Sequence, residues 1–402
     1  MKQIWSRRHD PWIMVWPLAL AQMISWGCIF YAFSLFVTPL IADLGWTRQA
    51  LNGALSLAFL TMAATAYPVG RWIDRNGGRG IMVVGCIAAG GLLIAASRVT
   101  EPIEFYLLWS CLGVCMACIL YEPAFIVITQ VFGFGAKRGI AAVTLLAGFS
   151  STLFIPLIEF LLARYGWQDT YIILGLILLF LAAPLQWLFI PPKTIATQHD
   201  TALDQQRRGG FSLLKLCRRP VFWGLVIWAA GNSFMITGVL FQLVPLLKSA
   251  GVSVRDVVLC MTVFGPLQVL GRIAVMLFAH RIGTATLGTL TTIVFPLGVL
   301  VLLVAPYELV WLCLAVALIG AANGIATIVR GTAPAEWIGL THYGKVAGAI
   351  TVPVLIAGAL SPSALAWVWQ HHGAPAMLAT ILCAGLISAG GYAFARAYRD
   401  NY

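Results

Sequence analysis

The chain is 402 residues long, 60% hydrophobic and only 10% charged, with a mean hydropathy of +0.91. That balance excludes a soluble globular protein, and the apolar runs are far too long for the strands of a membrane barrel, which leaves an all-α membrane protein. A net charge of +11 points toward acidic partners such as nucleic acid until its distribution along the chain is read.

Met1–Asp10 carries Lys2, Arg7 and Arg8 and runs into an apolar stretch long enough to span, so it does not read as a cleaved signal peptide. About twelve spans follow, each near the ~20 residues that a bilayer core requires. The first six are Trp12–Ile41, Leu51–Tyr67, Ile81–Ala96, Phe105–Val131, Ile140–Leu162 and Tyr171–Phe189. The polar stretch Pro191–Pro220 interrupts them. The second six are Val221–Leu247, Val257–Ala279, Leu287–Ala305, Leu309–Ile328, Val346–Trp369 and Ala376–Ala395. This predicts a six-helix bundle over residues 1–190, a cytoplasmic linker over 191–220 with a short interfacial helix at Phe211–Cys217, and a second six-helix bundle over 221–402.

Charge sets the orientation. With the N-terminus inside, the outer face keeps only Arg48, Arg98, Arg164, Lys248 and Arg255, while the cytoplasmic segments and flanks, Arg330 and Lys345 among them, hold nearly all the other Lys and Arg. This positive-inside bias predicts a multi-pass protein of the cytoplasmic (inner) membrane with both termini cytoplasmic, and it removes the case for a nucleic-acid partner. The nine cysteines lie mostly within spans, without paired spacing outside them, and read as small apolar residues rather than a disulfide scaffold.

Polar residues inside the spans mark the candidate sites. The first span holds Gln22, Trp26 and Tyr31, with Gly27 loosening the helix between them. After the second span, Gly70-Arg-Trp-Ile-Asp74-Arg75-Asn-Gly77-Gly-Arg79 reads as a tight charged turn. Asp74 is expected near the positive end of a neighbouring helix, with the arginines on lipid headgroups or a partner carboxylate; the alternative is that these charges only fix topology. In the fourth span, Cys111, Cys115 and Cys118 recur at i, i+4 and i+7, and Glu122 continues that face. Three thiols on one face could hold a soft metal or metalloid, although close packing by small residues explains the same stripe. A carboxylate taken out of water favours its neutral form, so Glu122 is the candidate for carrying a proton between two exposures; the alternative is an ion pair.

The seventh span contributes Asn232, Thr237 and Gln242, and the tenth contributes Asn323. Buried amides need partners, which a substrate or a neighbouring helix can supply. In the eighth span Phe264, Gln268 and Arg272 share one face. Arg272 stands nine residues before Arg281, about 13 Å along a helix, which approaches the middle of the core. An arginine facing a cavity there is a bidentate partner for a carboxylate; pairing to another helix or snorkelling is the alternative. The halves echo each other at an offset of about 206 residues, with His280-Arg281-x-Gly283 where Asp74-Arg75-x-Gly77 stood and Pro362 where Pro156 stood. Both prolines are expected to kink their helices.

The Gly70 to Arg79 pattern resembles the signature between the second and third helices of the major facilitator superfamily. The resemblance implies two parallel six-helix repeats, alternating access to a site between them, and a conformational latch at Gly70, Asp74, Arg75, Gly77 and Arg79. His280 in place of an acid departs from a symmetric latch. Leu240–Leu247, Gly251-Val-Ser253, Gly271-Arg272, Arg281-Ile-Gly283, Leu44-Gly-Trp-Thr-Arg48 and Tyr165-Gly-Trp167 are similar to the monocarboxylate and oxalate:formate porter branch. In that branch the eighth-span arginine binds substrate carboxylate, which falls on Arg272; the further lysines of oxalate-type and mammalian-type members have no counterpart here.

The expectation is therefore a monomeric secondary active transporter of a small organic monoanion, coupled to protons through Glu122. Arg272, Gln268, Asn232 and Gln242 would meet the substrate's polar groups, and Trp26, Tyr31, Tyr121 and Phe264 would wall its apolar side. No cofactor, no metal and no enzyme chemistry is expected, for want of a nucleotide loop, a zinc-protease motif or a catalytic constellation. A proton antiporter exporting a drug or metalloid is the nearest alternative, and a non-transporting sensor the next.

Overall fold

A computed structural model of the chain describes residues 10–192, 213–278 and 281–399, apart from the side chains of Val254 and Val258. The described residues are helical with no strand. Nine helical runs among them are long and apolar enough to cross a bilayer. Two of these runs, Pro102–Phe189 with 88 residues and Tyr343–Tyr398 with 56, would measure about 130 and 85 Å at ~1.5 Å per residue, far more than a ~30 Å core. They fold back at Gly133, Gly166 and Gly373, whose φ angles of 57°, 77° and 83° only glycine tolerates readily. Counting the folded-back runs as three crossings and two gives the expected twelve.

In chain order, α1 (Trp12–Leu44) carries a π-helical turn over Trp26–Tyr31, which is the loosening expected around Gly27. Gly45 closes this helix in the left-handed conformation, and the Thr47 hydroxyl accepts the Ala50 N–H to open α2 (Arg48–Asn76). Only Gly77 (φ 80°, ψ 163°) separates α2 from α3 (Gly78–Ala96), so most of the expected charged turn is in fact helical. The fourth crossing is broken into α4 (Pro102–Ile119) and α5 (Tyr121–Phe132) at Leu120. The fifth and sixth comprise α6 (Ala136–Ala147), α7 (Ser150–Ile177) and α8 (Ala183–Phe189).

Of the expected interfacial helix, α9 (Leu213–Cys217) is present, with Leu213 and Leu214 exposed; Phe211 and most of the linker lie outside the described residues. After it come α10 (Pro220–Ser249), α11 (Val254–Phe278), α12 (Thr284–Val304), α13 (Leu309–Trp337) and α14 (Tyr343–Tyr398). His280, the expected echo of Asp74, lies outside the described residues, as do Lys2, Arg7 and Arg8.

The chain separates into two compact units. The first holds the described residues up to 192 together with Leu340–Thr351, and the second holds those from 213 to Gly339 and from Val352 onward. The units repeat each other's packing. In the first, Ser150 Oγ donates to the Met23 carbonyl (2.7 Å) and Gly27 lies against the Phe154 ring, which leaves no room for a Cβ. In the second, Ser361 Oγ donates to the Phe234 carbonyl (2.6 Å) and Gly238 lies against Leu365. Each member of one set is displaced from its counterpart by 211 residues, as 361 − 150 and 238 − 27 show. Gly113 against the Ala58 carbonyl and Gly324 against the Gln268 carbonyl form a further pair at nearly the same displacement.

Candidate functional site

In the first unit the polar residues of α1 meet the break in the fourth crossing. Pro123 has no N–H, so the carbonyl of Ile119, four residues earlier, has no helical donor. Gln22, fully buried, supplies one: its Nε2 donates to that carbonyl at 2.6 Å. Its Oε1 and the indole Nε1 of Trp26, one turn on, are buried without hydrogen-bond partners among the described residues. Trp26 leans on Tyr121 with ring centroids 4.9 Å apart, and Tyr121 stacks on Phe125 at 5.4 Å. Phe30 joins Trp26 (5.2 Å) to Tyr31 (5.4 Å) and reaches Phe59 (6.2 Å). The structure thus brings Trp26, Tyr31 and Tyr121 together and adds Phe30 and Phe59, which do not stand out in the sequence because phenylalanines are common in spans.

Glu122 is half-buried in the first turn of α5. It does not continue the cysteine face. Leu120 adopts φ −80° and ψ −156°, which ends α4 and with it the helical register that relates the cysteines to Glu122. Cys111 is exposed, Cys115 and Cys118 are buried, and Gly85 packs on the Cys118 side chain. Among the described residues no group of three or more His, Cys, Asp or Glu could hold a metal ion. The contact of Gly85 with Cys118 is of the kind that close packing by small residues makes.

Asp74, in the expected latch, lies in the last turn of α2 and clamps a second helix. Asp74 receives two backbone hydrogen bonds from the opening turn of α14, Gly344 N–H to Oδ1 at 2.8 Å and Lys345 N–H to Oδ2 at 2.9 Å. The Gly344 N–H is among the donors that a helix start leaves without internal partners, and the carboxylate adds its charge to the positive end of the helix dipole. The approach is possible because both helices are bare there. A Cβ on Gly70 would collide with the Gly344 carbonyl, one on Gly344 with the Gly70 carbonyl, and one on Gly348 would come within 2.6 Å of the Ala66 carbonyl. Gly344-x-x-x-Gly348 against Ala66-x-x-x-Gly70 is a small-residue crossing of the kind that lets helices touch in lipid. Arg75 is exposed, and Arg71 and Arg75 lie in the electrostatic neighbourhood of buried Lys345. Arg79 is drawn away: its guanidinium stacks 4.1 Å over the Trp187 ring.

In the second unit, Arg272 is 3% exposed on α11. Its helix presses on α13 backbone to backbone, with Gly271 on Ala321, Gly320 on the Phe264 carbonyl and Gly324 on the Gln268 carbonyl. Phe264 and Gln268 are half-buried. Gln242 gives its amide to another helix, with Nε2 donating to the Pro362 carbonyl at 2.9 Å. Asn232 lines a small cavity between α10 and α13, of about 60 Å³, whose walls also include Trp228, Ser233, Asn323, Thr327 and Arg330. Arg330, expected as a flanking charge, stands within α13, seven residues before its end at Trp337, half-buried on the cavity wall. The polar stripe Asn323, Thr327, Arg330 at i, i+4 and i+7 is the sequence signal for it.

Comparison with known proteins agrees with this architecture. Monocarboxylate transporter 2 of Rattus norvegicus is 30% identical over 171 residues, covering 41% of this chain and 34% of its own. Monocarboxylate transporter 1 of Bos taurus is 28% identical over 209 residues, covering 50% and 41%. The MFS-type transporter YcxA of Bacillus subtilis (strain 168) is 28% identical over 229 residues, covering 55% and 54%. The matched stretches thus span about half or less of each relative's length. Among solved structures, the proton:xylose symporter XylE superposes with a TM-score of 0.73 at 15% identity, covering 94% of each chain. The human organic anion transporter MFSD10 gives 0.72 at 14%, covering 95% of this chain and 99% of its own. These structures share the fold. The family model of the Major Facilitator Superfamily matches residues 16–362, and the chain belongs to that superfamily of membrane transporters.

Proposed function

We propose that the protein is a proton-coupled transporter of a small organic monoanion of the monocarboxylate kind, working by alternating access in the cytoplasmic membrane with both termini inside. The observation that carries the reading is Arg272, a cation 3% exposed in the eighth crossing of a chain similar to two monocarboxylate transporters. A guanidinium in a cavity can take a carboxylate through two parallel hydrogen bonds. Gln268 and Phe264 on the same helix, with Asn232 and Gln242 on α10, would orient the substrate. The Trp26, Tyr31 and Tyr121 cluster would take its apolar part.

Glu122 is assigned the proton and the Asp74 clamp the conformational latch, with Gly70 and Gly77 making it possible. Arg75 and Arg79 would tune the latch from its edge. The fold likeness to the proton:xylose symporter is compatible with proton coupling. Proton-antiport export of a drug or metalloid is the alternative reading.

Counterflow in proteoliposomes tests the assignment: vesicles loaded with an unlabelled monocarboxylate should accumulate the labelled acid transiently. Arg272→Gln should cut that flux by about thirtyfold or more, as removal of one partner of a buried charge pair does. Undiminished counterflow in Arg272→Gln would exclude the arginine as the carboxylate site.

A further inference from the structure

Two thiols meet on the seam where α11 and α13 are pressed together. On α11, Cys260, Phe264, Gln268 and Gly271 recur at i, i+4, i+8 and i+11; on α13, Cys313, Gly320 and Gly324 recur at i, i+7 and i+11. Each set is one helix face. Along these faces Gly320 lies against the Phe264 carbonyl, Gly324 against the Gln268 carbonyl and Gly271 against Ala321. Phe264 to Gln268 and Gly320 to Gly324 advance together, so the two helices run parallel. Partners on the seam differ by 50 residues (321 − 271) to 56 (320 − 264), and the two cysteines differ by 53 (313 − 260). The seam thus sets Cys260 level with Cys313, and their thiols share a hydrogen bond.

The two differ in access. Cys260 is fully buried in the core of the second unit, while Cys313 is half-buried and packs against that core. Cys313 stands four residues from the start of α13 at Leu309, about 6 Å at ~1.5 Å per residue. The other thiols are placed differently: Cys86 donates to the Leu178 carbonyl at 3.5 Å, Cys111, Cys115 and Cys118 share one helix, and Cys217 and Cys383 are exposed. Arg272 lies twelve residues further along α11, about 18 Å away along the axis.

We propose that Cys260 and Cys313 are a redox-closed clasp, which a low-molecular-weight disulfide such as oxidised glutathione converts into a disulfide tying α11 to α13. Cys313, the accessible thiol, attacks one reagent sulfur as its thiolate, forms a mixed disulfide and expels one glutathione. Cys260 then attacks the Cys313 sulfur, which closes the protein disulfide and releases the second glutathione. Two protein thiols are oxidised, one reagent disulfide is reduced, and the two thiol protons end on the released glutathiones. On the orientation proposed above, the pair lies toward the outer face, where disulfides persist; the pairing itself depends neither on that orientation nor on transport. Closed, the clasp fastens the helix that carries Arg272 to its neighbour and removes freedom from the unfolded chain.

The test exposes the purified full-length protein in detergent to oxidised glutathione, blocks the remaining thiols with N-ethylmaleimide, and reads the peptides by mass spectrometry without reduction. A Cys260–Cys313 linkage should form about tenfold faster than any other or more, because the two thiols are already in contact. It should disappear with dithiothreitol and raise the midpoint of thermal unfolding by about 5 °C. Cys260→Ser should trap glutathione on Cys313, whereas Cys313→Ser should leave Cys260 unmodified in the folded protein. Cys115→Ser should link as the wild type does.

Absence of the linkage while exposed Cys217 takes up glutathione would overturn the proposal, as would a linkage no faster than others or one that appears only on unfolding. Glutathione on Cys260 in folded Cys313→Ser would overturn the order of attack. A linkage that leaves the thermal midpoint unchanged would overturn its role as a clasp.

Discussion

Asp74 shows how one side chain can hold two helices. It accepts two N–H groups at the start of α14 with a negative charge, the Gly344 N–H and the Lys345 N–H that also reaches the His342 carbonyl at 3.0 Å, and the glycines around it remove the atoms that would keep the helices apart. Asp74→Asn retains one acceptor but sets an NH₂ against the second N–H. We expect it to cost about 1–3 kcal/mol, the usual consequence of stranding a buried donor. A lowered midpoint of thermal unfolding in detergent would register that loss, and an unchanged midpoint would show that the two bonds contribute nothing. Gly70→Val should destabilise by about 1–3 kcal/mol through overpacking on the Gly344 carbonyl. Gly80→Val, where nothing lies within 4 Å, is its control and should be nearly silent. Equal effects of the two would mean that close approach is not the reason for Gly70. That Asp74 would seek a helix N-terminus was legible in the sequence; that the helix would be the one opening at Tyr343 was not, because 270 residues of chain separate the partners.

At the level of elements, the sequence displays the hydrophobic runs but not their breaks. A hydropathy window passes over Leu120, whose neighbours are as apolar as those of an intact helix, so the cysteine stripe reads as continuing to Glu122 when it does not. The sign of the break is Pro123, and Gln22 is its complement from another helix. This pairing predicts non-additivity. Gln22→Leu should cost about 1–3 kcal/mol by leaving the Ile119 carbonyl bare, and less in a Pro123→Ala background, where a local donor returns. A double-mutant cycle on thermal stability checks it; strictly additive costs would show that the proline does not create the need for the glutamine. The porter-like motif patches have similar local reasons. Gly45 and Thr47 cap adjacent helices, and Trp167 Nε1 donates to Asp43 Oδ2 at 2.7 Å, tying the end of α1 to the start of the sixth crossing.

For the whole molecule, twelve crossings and an all-helical membrane fold follow from composition and run length alone. The duplication is only an echo in the sequence, because Gly27 and Gly238 or Ser150 and Ser361 are single small residues lost among many. It becomes plain once each is seen to serve the same helix contact in its own unit. Site residues are legible where a charge interrupts an apolar run, as at Arg272, and escape notice where the charge lies near a span end, as at Arg330. The proposed function stands or falls on whether an organic monoanion moves together with a proton and is recognised by Arg272. A direct test loads proteoliposomes with a pH-sensitive dye and adds a panel of organic acids outside, for wild type beside Arg272→Gln and Glu122→Gln. Wild type should acidify the lumen in an acid-dependent way, Arg272→Gln should abolish the response, and Glu122→Gln should uncouple proton from substrate. Correctly inserted wild-type protein that moves no protons with any acid would contradict the monoanion–proton assignment.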